Sequence, residues 1–156
     1  DVEVVQAVRV LAARPAAVWP LICDHDLYGR LAPNLSTVEV ISDPGEPLRR
    51  RCVDTAGNSW SETCVRWEPG RRFAVEVDTT DYPYPLTMMR GLWQVDPHPT
   101  GSRITLRFVY QAAPALRGGL FAVGLRVLFP VALRRILHGW QRIITSDGER
   151  VDTPVR

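Results

Sequence analysis

The 156-residue chain contains no lysine, and all nineteen of its basic side chains are arginine. Such a bias is expected of a GC-rich bacterial genome such as an actinomycete's more often than of a binding surface. Seventeen acidic residues leave a net charge of only +2, which offers no excess of clustered cations to neutralise phosphates and excludes nucleic acid as an expected partner. The one dense run is Arg49-Arg50-Arg51. In a strand its side chains alternate between faces, and a solvated edge is the expected setting. Cysteine is scarce: Cys23, Cys52 and Cys64 are odd in number and lack C-x-x-C spacing, so reduced thiols in a cytoplasmic protein are expected. His25, His98 and His138 fall at no metal-ligand spacing. The sequence also lacks a G-x-S-x-G elbow, a Walker loop and a dinucleotide fingerprint. No metal, no cofactor and no nucleophilic serine chemistry are expected. Nothing at the start resembles a secretory leader. The apolar stretch Leu116 to Leu137 is broken by Arg117, Arg126, Arg134 and Arg135, too many charges for stable membrane insertion.

What is present is the composition of one globular domain. The apolar share of 46% and charged share of 23% match folded proteins and argue against disorder, and the length suits one core. Alternation rich in valine over Val2 to Leu11 predicts a first strand. Pro15 opens a short helix running to about Cys23, and Asp24 caps a second through Leu27, Tyr28 and Leu31 that ends before Pro33. From Leu35 to Ala112, turn signals such as Asp43-Pro44-Gly45 and Glu68-Pro69-Gly70 separate six strands. Their antiparallel meander has one buried face, carrying Phe73, Val75 and Val77 in one strand and Ile104, Leu106, Phe108 and Tyr110 in another. After Pro114 a broad apolar stripe (Leu120, Val123, Gly124, Val127, Leu128, Val131, Leu133, Ile136, Leu137, Trp140, Ile144) predicts one long helix, kinked at Pro130. A single domain over 1–149 and a disordered tail over 150–156, with fraying from Ser146, complete the expectation.

The order strand, two short helices, six strands and long helix resembles the START-like or SRPBCC superfamily, in particular its polyketide cyclase/dehydrase branch. The resemblance is carried by Ala13 to Asp24, by Leu27-Tyr28-Gly29-Arg30-Leu31-Ala32-Pro33, by the Trp60 to Trp67 strand with Glu68-Pro69-Gly70-Arg71-Arg72-Phe73, and by Gly91-Leu92-Trp93 followed by Gly101-Ser102-Arg103-Ile104-Thr105. It covers residues 3 to 149. It implies an α+β helix-grip fold, a seven-stranded curved antiparallel sheet around the C-terminal helix, enclosing a cavity for a hydrophobic small molecule.

Such a cavity would be lined by alternate strand residues and the inner helix stripe, here Trp60, Trp93, Phe73, Val75, Phe108 and Tyr110 with Phe121 and Leu128. Alternation groups Trp60, Glu62, Cys64 and Arg66 against Ser59, Ser61, Thr63, Val65 and Trp67, without saying which set faces inward. If the first does, Glu62 is an acid/base candidate and Arg66 a carbonyl-binding one. A structural ion pair or solvent-facing charges are the plainer reading of both. Arg90 and Trp93 fall on opposite faces of their strand in ideal alternation, so at most one faces the cavity unless a bulge near Gly91 resets the register. The resemblance places Tyr28 near the cavity mouth, and Tyr82 and Tyr84, in a proline-rich loop, could border it and donate to a substrate carbonyl. Asp24-His25-Asp26 is explained by a helix cap with His25 on the surface.

The leading expectation is binding of an aromatic or polyketide-like molecule, with cyclase or aromatase activity in which Arg66 or Arg90 steadies enolate charge and Tyr28 or Glu62 moves protons. The alternatives are a non-catalytic lipid or hydrophobic-ligand carrier, and an interaction protein whose pocket is filled by its own side chains. The protein is expected to act as a monomer or homodimer.

Overall fold

A computed structural model describes residues 1–151, with side chains described as far as residue 147. The elements follow the expected order: β1 (Val2–Leu11), α1 (Pro15–Ile22), α2 (His25–Leu31), β2 (Leu35–Val40), β3 (Arg49–Asp54), β4 (Ser59–Glu68), β5 (Arg72–Val77), β6 (Leu86–His98), β7 (Gly101–Ala112) and α3 (Leu116–Val151). Pro15 sits in the first turn of α1, where its missing N–H costs nothing. Asp24 caps α2 by accepting from the Leu27 amide at 3.0 Å. Ala32, before Pro33, is extended and ends that helix.

The seven strands form one antiparallel sheet in the order β1-β7-β6-β5-β4-β3-β2. Strands β2 to β7 form a meander in which each strand pairs with the next in sequence, while β1 pairs with β7 from Val2 opposite Gln111 to Leu11 opposite Ser102. β1 and β2 therefore lie at opposite edges, and α1 and α2 carry the chain across: α1 packs on β6 and β7, α2 on β2 and α3. Gly101, at φ +147, lets its turn approach the Leu11 carbonyl where no side chain would fit.

The inner face of the curved sheet holds the core. Ser102, Ile104, Leu106, Phe108 and Tyr110 alternate inward along β7, and Phe73, Val75 and Val77 along β5, as their period of two requires. Gly91 leaves room on this face, since a Cβ there would collide with Phe108 and Trp93. α3 covers the face with Leu133, Ile136, Leu137 and Trp140, all buried.

The amino-terminal half of α3 departs from expectation. Leu120, Val123, Val127, Leu128 and Val131 are exposed, and Phe121, Ala122, Leu125 and Phe129 turn toward the sheet instead. Over this stretch the helix is apolar on both sides, so periodicity alone could not choose the buried one. α3 runs through Pro130 and continues past Ser146, where fraying was expected, to Val151. The rest of the expected tail, 152–156, lies outside the described residues.

Candidate functional site

Between α3 and the inner face of the sheet lies a cavity of about 300 Å³. Its apolar wall comes from Met89 and Phe108 on the sheet and from Phe121, Leu125, Leu128, Phe129 and Ala132 on α3. Its polar wall comes from Tyr28, Trp60 and Glu62, with Asp54, Tyr82 and Tyr84 toward the end bordered by Asn34, Leu35, Thr55 and Ala56. An apolar chamber with a few converging polar groups is the usual form of a small-molecule site.

Glu62 is the charged centre. It is buried, and its two oxygens have separate partners: Oε1 accepts from Arg50 Nε at 2.8 Å, and Oε2 from Trp60 Nε1 at 2.9 Å. Arg50, only 1% exposed, stands opposite Glu62 in the β3–β4 ladder. Its guanidinium lies 4.9 Å from the Trp93 ring centroid and 5.1 Å from that of Tyr28, a desolvated cation held by two aromatic faces as well as by a carboxylate. Arg50 Nη1 also meets His25 Nδ1 at 3.0 Å. Because guanidinium can only donate, this contact holds His25 with an unprotonated Nδ1. Burial and the neighbouring Arg50 charge push the imidazole down to about 4. Burial pushes the Tyr28 and Tyr82 phenols well above their ordinary range, so both remain protonated donors at neutral pH.

The mouth is fixed by two hydrogen-bond anchors. Tyr84 donates its hydroxyl to Asp54, and Asp81 accepts from the Ser61 amide at 3.2 Å and the Ser61 hydroxyl at 3.1 Å. Burial acts upward on the Asp54 carboxyl, but hydrogen bonds from Tyr84, Asn58 and Ala56 hold it below the usual carboxylate range. Tyr84 stacks on Phe121 with centroids 5.3 Å apart, which ties the loop to α3.

A second, more open recess of about 560 Å³ lies beyond His25, lined by Cys23, Glu46, Leu48, Cys64, Arg66 and Trp67 among others. Burial pushes the Cys23 thiol up to about 12, which leaves it unreactive at neutral pH. This recess is larger than the α3 cavity but presents no buried charge of comparable placement, so the cavity is the better candidate site.

Of the residues singled out in the sequence, Glu62, Tyr28, Trp60, Tyr82, Phe108, Phe121 and Leu128 line the cavity. Trp93, Phe73, Val75 and Tyr110 face inward but form the core behind it; Phe73 and Trp93 stack at 5.0 Å. Arg66 and Arg90 do not reach it. A register shift between Cys64 and Arg66 breaks the alternation of β4, so Trp67 packs on Trp19 and Phe73 while Arg66 pairs with Glu68 beside solvent. Arg90 stands on the opposite face of β6 from Trp93, exposed and paired with Glu76 at 2.9 Å. The sequence reading places two residues differently from the structure. Arg50 is interior rather than part of a solvated edge, and His25 lies against Arg50 and Phe73 rather than on the surface. The signal for Arg50 was its parity with Cys52 and Asp54, since β3 buries all three on one face. The cavity also removes the reading in which the pocket is filled by the protein's own side chains, because Trp93 and Trp140 are absorbed by the core and space remains.

Residues 2–142 match the family described as polyketide cyclase / dehydrase and lipid transport. No curated protein sequence matches the chain significantly. Among solved structures, TTHA0849 from Thermus thermophilus superposes with a TM-score of 0.73 at 22% identity, covering 93% of this chain and 99% of that one. The Zhui aromatase/cyclase from Streptomyces sp. R1128 gives a TM-score of 0.70 at 20% identity, covering 96% and 95%. The di-domain ARO/CYC StfQ of the steffimycin biosynthetic pathway gives 0.78 at 14% identity, with 95% of this chain covering 52% of that one. At these identities the likeness concerns the fold.

Proposed function

Because the chain belongs to the polyketide cyclase / dehydrase and lipid transport family, we propose that it holds an apolar, ring-bearing or ring-forming molecule beneath α3 and acts on it as a cyclase or aromatase. The observation that carries this reading is the placement of Glu62, a buried carboxylate on the wall of an otherwise largely apolar cavity, oriented by Arg50 and Trp60. The family's aromatase/cyclase neighbours in fold are consistent with it.

In this reading the cavity folds a chain bearing alternate carbonyls so that a methylene meets a distant carbonyl, and positioning supplies most of the rate. Glu62 takes a proton from the methylene, the electron pair forms an enolate, and the enolate carbon attacks the carbonyl carbon. The proton returns from Glu62 to the new alkoxide. Glu62 then takes the remaining proton from the attacking carbon, that electron pair forms the carbon–carbon double bond and expels the hydroxyl, and the hydroxyl leaves as water with the proton from Glu62. Tyr28 and Tyr82, held protonated, donate hydrogen bonds to carbonyl oxygens. Arg50 is a positioning residue that acts through Glu62.

The test is turnover of a synthetic poly-β-ketone thioester, followed as ring formation and loss of water, with binding of the neutral fluorophore N-phenyl-1-naphthylamine measured in parallel. Glu62→Gln leaves Arg50 without its counter-charge and is expected to be less stable, but under conditions where it remains folded it is expected to bind the fluorophore and to lose at least about 10²-fold in turnover. Unchanged turnover in this variant would overturn the assignment. One observation favours a second reading, a carrier without chemistry: both Glu62 oxygens already have protein donors. A lipid retained through purification and identified by native mass spectrometry, with no product from the thioester, would select it.

A further inference from the structure

The exposed side of α3 carries a feature that the cavity does not use. Leu116, Leu120, Val123, Val127 and Val131 recur at the spacing of one helix face and are 79%, 65%, 55%, 66% and 40% exposed. Nothing among the described residues covers them. Isolated exposed aliphatics need no explanation, but a contiguous row of five on a single helix face does. The charge around the row has one sign. Between Pro114 and Ser146 the sequence has no aspartate or glutamate, whereas Arg117, Arg134, Arg135 and Arg142 are exposed along the same helix. Among the described residues, Arg126 alone of the helix arginines is matched, by Glu3.

We propose that this face of α3 lies on an anionic lipid surface, with the aliphatic row bedded among acyl chains and the arginines against acidic headgroups. An amphipathic helix with an apolar face and a basic border is the form that lies in the plane of an interface, and among the described residues no helix is long and apolar enough to cross a membrane. Charge decides against a second copy of the chain as the occupant. A two-fold pairing centred on Val123 and Val127 would set Arg117 of one copy near Arg134 of the other, without an acidic residue on either helix segment to offset them. The row is also a convex ridge on one helix, which needs a fluid partner rather than a matching groove. Leu125, Leu128 and Phe129 on the same turns line the cavity, so docking would set the cavity wall at the lipid surface and give an apolar ligand a route that avoids water. The docking stands on the surface alone and holds for a carrier or an enzyme.

The experiment is co-sedimentation of the full chain with vesicles of phosphatidylcholine alone, and with vesicles in which roughly one lipid in three is phosphatidylglycerol. Binding is expected only to the anionic vesicles and is expected to weaken as salt screens the arginines. Leu120→Gln/Val127→Gln is expected to lower that binding at least about tenfold, while N-phenyl-1-naphthylamine binding without vesicles is unchanged because neither residue lines the cavity. Failure to bind either vesicle, anionic binding undiminished in the double variant, or a dimer in sedimentation velocity that the double variant dissociates would each overturn the proposal. The vesicle-free fluorophore measurement separates such a failure from a failure of the cavity reading.

Discussion

Arg50 and Glu62 stand directly opposite each other across β3 and β4, and their side chains close a 2.8 Å ion pair inside the protein. Removing one member leaves an uncompensated buried charge. Arg50→Ala is expected to cost about 3–5 kcal/mol in urea unfolding, whereas Arg50→Met/Glu62→Met, which removes both charges at similar volume, should recover most of that loss. Additive losses in the double variant would show that packing, not charge pairing, dominates.

His25 gives the fold a specific acid sensitivity. Its folded-state value of about 4 lies below the ordinary 6.5, so the unfolded chain binds a proton in the window between them that the folded chain refuses. Stability from this group is complete above pH 6.5 and falls as pH drops toward 4. The expected loss is on the order of 2 kcal/mol, after discounting for the ring's partial exposure. His25→Asn should flatten that part of the profile in urea titrations at pH 7, 5.5 and 4.5, and an unaltered slope would assign the acid sensitivity elsewhere.

Arg66 and Arg90 lie outside the cavity in exposed pairs with Glu68 and Glu76. Arg66→Ala and Arg90→Ala are each expected to change stability by less than about 1 kcal/mol and to leave fluorophore binding and turnover as they were. A large loss of turnover in either variant would contradict the geometry described above.

Asp81 anchors the loop that carries Tyr82 and Tyr84 by accepting two hydrogen bonds from Ser61. Asp81→Ala should cost about 1–3 kcal/mol and, by freeing the mouth, accelerate fluorophore release in stopped-flow measurements. Slower or unchanged release would place the exit elsewhere.

Much of this architecture was legible in the sequence because its signals are local. Pro15, Asp24 and Pro33 fix the two short helices, and the alternation of β5 and β7 fixes which of their residues face the core. The site was less legible because it depends on departures from local rules. One bulged residue after Cys64 sends Arg66 to solvent, although its parity with Glu62 suggested a shared face. Arg50 hid within a triplet of like charges, and only the curvature of the sheet decides that its face is the interior. The amino-terminal half of α3 is apolar on two sides, so the sheet rather than the helix selects which one is buried.

The pairing of β1 with β7 also governs how the molecule is made. Val2 must find Gln111 and Leu11 must find Ser102, contacts between the first strand and the last that add greatly to sequence separation and slow the closing of the sheet. During synthesis β1 must wait unpaired until β7 emerges, and α3 follows β7 in the chain. The cavity cannot close until β1 has paired with β7 and α3 has packed across the sheet, so its walls depend on the contacts most distant in sequence.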